Sequence, residues 1–102
     1  MEIDLGEAVV WFRRAAMGGY YRAQGRLAYL HAMGKGVERD KVTAYAWLIL
    51  AAAHRNAGEY RERRNLAATK LSEHELTRGR ELASTLSREI KSRAHANTFS
   101  AL

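Results

Sequence analysis

Four histidines, His31, His54, His74 and His95, are the side chains best suited to metal binding or proton transfer. A metal pair on a helix needs ligands three or four residues apart, and no two of these histidines stand at that spacing. His31 falls on the apolar side of its segment, where a packed core histidine is expected. The carboxylates pair as Asp4 with Glu7, Glu59 with Glu62 and Glu73 with Glu75. Arginines lie close in sequence, so surface ion pairs account for them, whereas acid–base work would need a dry pocket. Ser72 is followed three residues later by Glu75, a capping box rather than a nucleophile with its base. The stretch Gly34-Lys35-Gly36 before a helix has a faint look of a phosphate cradle. A phosphate loop requires a preceding strand, wider glycine spacing and Ser or Thr after the lysine. None is present, so this stretch reads as a turn. No catalytic, cofactor or metal site is expected.

The elements that would position these residues are helical. The 102-residue chain is 47% hydrophobic, rich in Ala, Leu, Arg and Glu, and has no proline, a composition that favours helix. It also has no cysteine, so disulfides and thiolate zinc sites are excluded. The longest apolar run, residues 44–53, is far too short to span a bilayer, and the acidic start carries no secretory signal. A cytoplasmic location is the default expectation, periplasmic or secreted if the chain is part of an exported protein. The net charge of +6 suits a solvated helical surface, an acidic protein partner or nucleic acid.

The chain repeats itself. Laying residues 7–16 over 43–52 superposes Ala8 on Ala44, Trp11 on Trp47, Phe12 on Leu48 and Ala15-Ala16 on Ala51-Ala52, all 36 residues apart. A period of this size belongs to a helix–turn–helix solenoid unit. Leu5, Ala8, Val9, Phe12, Ala15 and Ala16 share one helical face. Gly18-Gly19 ends the first helix, a second covers 20–33, and Asp40 is placed to cap a third. A last helix follows Ser72, with Leu76, Leu82, Ala83, Leu86 and Ile90 on one side.

These residues resemble the Sel-one-like repeat, a relative of the tetratricopeptide repeat. The matching positions are Ala8, Trp11-Phe12, Ala15-Ala16, Gly19, Ala23-Gln24, Leu27, Gly34-Lys35-Gly36-Val37 and Asp40. The pattern begins again at Ala44, has Arg55 in place of Gly19, and degenerates after Ala57, where Tyr60 and Arg63 replace Gln24 and Leu27. The resemblance implies an all-α, right-handed α-solenoid of about two repeats plus a C-terminal capping helix, roughly five helices in all. The repeat domain is expected over 1–93, and residues 94–102, which lack helical patterning, are expected to be a frayed tail. The resemblance implies a scaffold for other proteins, without catalysis or cofactor.

On that geometry, Arg22, Arg26, Tyr29 and Met33 face a partner-binding groove. The 36-residue offset adds Glu62, Asn65 and Thr69, with Arg61 beside them. The expected occupant is an acidic or mixed segment of another protein. The alternative is a nucleic-acid module using Arg55, Arg61, Arg63, Arg64 and Lys70, but aromatics do not alternate with that cluster, Tyr60 apart. The first helix also lacks its usual predecessor. Ile3, Val10 and Tyr21 are then open to a partner, either an upstream repeat or a second copy of the chain.

Overall fold

The computed structural model describes residues 4–101, with side chains described over 4–96, so Ile3, expected to be open to a partner, lies outside the described residues. Among them are five helices and no strand: α1 (Leu5–Met17), α2 (Tyr21–Met33), α3 (Lys41–Ala52), α4 (Gly58–Ala68) and α5 (Glu73–Ala101). No helix is long and apolar enough to cross a membrane.

The helix ends are set by local chemistry. The Asp4 carboxylate accepts from Glu7 N (3.1 Å) at the start of α1. Asp40 accepts from Thr43 N (3.0 Å) and from the Thr43 hydroxyl (2.7 Å) at the start of α3. At α5, Glu75 N donates to Ser72 Oγ and Ser72 N donates to Glu75 Oε1, the reciprocal capping box. The Gly-Lys-Gly stretch is a turn. Gly34 closes α2 with φ 66° and Gly36 follows with φ 74°, a region that disfavours side chains bearing a Cβ. A Cβ at Gly36 would run into the Leu5 carbonyl and Gly6 N, so this glycine lets the turn lie against the start of α1.

Successive helices pack as antiparallel neighbours, α1 on α2, α2 on α3 and α3 on α4. The core joins Val9, Ala16, Leu27, Ala28, Trp47, Leu48, Ala51 and Tyr60. Small residues permit the close approach: Gly25 leaves room for the Tyr60 ring and Gly79 for the Tyr45 ring. The shortest dimension of the molecule is 24 Å, about two helix diameters, as a two-layered solenoid requires.

α5 departs from regular stacking. It packs along α3 and reaches α1 instead of pairing closely with α4. Leu86 and Ile90 rest against the core. The helix also runs on through Ala101, so 94–101 continues α5 where a tail beyond the last helix is expected from sequence. After Gly79 no glycine or proline interrupts it, and nothing in the backbone stops the helix.

Candidate functional site

α2 and α4 flank a groove of about 560 Å³ whose floor is Ala44 and Leu48 of α3. From α2, Arg26, Tyr29 and Met33 line it; from α4 and its end come Arg63, Leu66, Ala67, Lys70 and Leu71. Arg39, just before α3, and Lys41, its first residue, complete the wall. Three large apolar side chains stand open there: Tyr29 at 45%, Met33 at 55% and Leu66 at 59% exposure. Large exposed apolar groups held together are unusual on a free surface. Five cations surround them, Arg26, Arg39, Lys41, Arg63 and Lys70, and no carboxylate is among the lining residues. Lys35 Nζ donates to the Tyr29 hydroxyl (3.1 Å) and lies over its ring, which fixes the tyrosine at the groove edge. Arg63 is 3.8 Å from the Glu59 carboxylate across an exposed turn, a pairing weak enough to exchange for a ligand.

Of the eight residues expected at this groove, four from the repeat geometry and four from the 36-residue offset and its neighbour Arg61, the ones that line it are Arg26, Tyr29 and Met33. Arg22 is exposed at the start of α2, where its guanidinium bonds the Tyr21 hydroxyl (3.2 Å) and is pushed above its ordinary pKa by that bond. Arg61, Glu62, Asn65 and Thr69 do not line the groove. Arg61 Nη1 instead donates to the carbonyls of Ala52 (3.2 Å) and His54 (2.9 Å). The Arg64 guanidinium binds the Asn65 side chain, and the Thr69 hydroxyl returns to the Leu66 carbonyl.

The reason is a change of register. Gln24 Nε2 donates to the Ala16 carbonyl (3.1 Å) just as Arg61 does to the Ala52 carbonyl. The two carbonyls are 36 residues apart, but the two donors are 37 apart. α1 and α2 are joined by Gly18–Tyr20, α3 and α4 by Ala53–Ala57, and the longer connector moves α4 on by one residue. Arg26, Tyr29 and Met33 therefore correspond to Arg63, Leu66 and Lys70. Leu66, an isolated leucine in a charged helix, was the sequence signal for this register.

The basic cluster proposed for nucleic acid is divided by the same geometry. Arg63 and Lys70 face the groove, whereas Arg61 is turned to the end of α3. Among the described residues no group of three or more His, Asp or Glu side chains could hold a metal. His31 is buried at 5% exposure, and neither ring nitrogen has a hydrogen-bond partner. Burial lowers its pKa, Arg13 lowers it further, and Asp40 opposes both. Burial alone would raise the Asp40 pKa, but bonds from Thr43 and Val42 bring it below the ordinary value.

The residues that build the helix pairs are also those by which known proteins resemble this chain. The Sel1 repeat family model matches residues 1–20 and 22–56. The chain belongs to the Sel1 repeat family. Its fold is also that of a crystal structure of a protective antigen of uropathogenic Escherichia coli displaying an SLR fold, at 31% identity and a TM-score of 0.82. That similarity covers 95% of this chain and 21% of the antigen, so the chain spans about a fifth of that protein's length. No curated protein matches by sequence. Sel1 repeat modules are typically non-catalytic and generally mediate contacts between proteins.

Proposed function

We propose that this Sel1 repeat unit is a docking module without catalytic activity, and that the groove between α2 and α4 takes a segment of another protein carrying carboxylates around one or two bulky apolar side chains. The observation that carries this reading is the ring of five cations around Tyr29, Met33 and Leu66 with no carboxylate in the lining. The apolar groups supply contact area, and the arginines supply bidentate partners for carboxylates.

The test is a titration of the chain with peptides that alternate Glu or Asp with Leu or Phe, read by calorimetry. Binding is expected for the acidic peptides, and loss of at least tenfold in affinity for R26E/R63E, a size typical of a central charged contact. Equal binding of the same peptides with Gln and Asn in place of the acids would sink the proposal. A single-stranded oligonucleotide of the same charge serves as the contrast. Tyr29 is the single aromatic ring in the lining, too little for a run of stacked bases.

A further inference from the structure

α1 and α3 carry the same apolar stripe, and one copy of it is uncovered. Ala44, Trp47 and Ala51 are buried, Trp47 at 3% exposure. Their counterparts Ala8, Trp11 and Ala15 are half-buried or exposed, with Trp11 at 59% and its neighbour Val10 at 50%. At 100° per residue, Glu7, Val10, Trp11 and Arg14 fall within a sector of about 100° on the side of α1 away from the buried Val9 and Ala16. Arg14 lies over the Trp11 ring, 5.3 Å from its centroid. The charges are placed symmetrically: Glu7 and Arg14 sit at equal distances before and after the midpoint between Val10 and Trp11.

That symmetry selects an occupant. In an antiparallel pair of α1 helices with a two-fold axis between Val10 and Trp11, Glu7 of each copy comes level with the partner's Arg14. A parallel pair would instead oppose Glu7 to Glu7 and Arg14 to Arg14. A head-to-tail stack is disfavoured at the other end, where α4 turns the polar Glu62 and Asn65, both exposed, outward. We propose that two copies of this chain associate through the outer faces of α1, antiparallel, with Val10 and Trp11 at the centre and two Glu7–Arg14 pairs flanking them. This is a closed, isologous contact. One pair of 13-residue helices buries less than the ~1,200 Å² of a standard interface. The dimer is therefore of the weak, reversible class. The proposal is independent of the groove reading, because none of these four residues lines the groove.

The experiment is sedimentation equilibrium of the intact chain over a concentration series. A monomer–dimer equilibrium is expected. W11A, which removes an exposed side chain, should weaken it about tenfold or more with an unchanged circular dichroism spectrum. E7R and R14E should each be monomeric alone, because like charges then meet twice, and an equimolar mixture of the two should dimerise. Sodium chloride raised from about 0.05 to about 0.5 M should weaken the wild-type dimer by screening, an arm that needs no variant. A wild-type monomer at ~1 mM, where an association of only about 4 kcal/mol would already be half formed, would overturn the proposal. So would a dimer untouched by W11A, a dimer strengthened by salt, or a mixture no more associated than its components. A chain that stays monomeric but binds a peptide of its own residues 20–33 would give the face to a foreign helix instead, and would also overturn it.

Discussion

At the residue scale, several residues that first suggest chemistry have a structural role in the fold: Gly34, Gly36, His31, Asp40, Ser72 and Glu75. Gly36 is the clearest case. Its positive φ and its contact with the backbone of Leu5 and Gly6 leave no space for a methyl group. Gly36→Ala should cost about 2 kcal/mol or more, lowering the melting temperature by roughly 8 °C or more for a chain of this size, as calorimetry would read. His31 is a core histidine, as its place on an apolar face indicated, but its lack of bonding partners was not legible, since that depends on which atoms surround the ring. Because its folded pKa is lowered, the unfolded chain takes up its proton first as pH falls. The stability that depends on neutral His31 is therefore whole above pH of about 6.5 and is lost as pH drops below it through the folded value, with a slope of at most ~1.4 kcal/mol per pH unit. Chemical denaturation between pH 7.5 and 5 should show this slope, and His31→Leu should flatten it while leaving the chain equally or more stable at pH 7.

At the element scale, the caps and helix ends were the most legible features. They depend on residues within four positions of one another, and Asp40, Ser72 with Glu75, and Gly34 each do locally what their spacing predicts. Asp40→Ala removes two bonds from the first turn of α3 and should destabilise the chain by about 1 kcal/mol, measured as a shift of the urea midpoint at constant slope. The path of α5 was not legible. Its apolar positions are spaced as a helix that packs, but whether it packs on α4 or on α3 depends on Gly79 meeting Tyr45, a contact between residues far apart in the chain. A methyl group at that glycine strikes the Tyr45 ring. Gly79→Ala should therefore loosen α5 from α3 although alanine is the better helix former, visible as faster amide exchange along α5.

At the scale of the whole molecule, the solenoid and its repeat were readable because two tryptophans and two alanine pairs recur at one distance, while the groove was readable on one wall only. Its chemistry is a sum over α2, α3 and α4, and so is its response to salt. Affinity for an acidic peptide should fall steadily as ionic strength rises from about 0.05 to 0.3 M, whereas the binding of a neutral peptide, if any, should not follow it. The second wall was obscured by the connector of Ala53–Ala57. That connector acts on the groove as a frameshift acts on a message. With the shorter spacing, the α4 wall would present Glu62, Asn65 and Thr69; with one residue more, the same helix presents Arg63, Leu66 and Lys70. The length of a surface loop thus sets the sign of the charge that the neighbouring wall shows. In a solenoid of this kind, the insertion or deletion of one loop residue can change ligand preference without altering any side chain that touches the ligand.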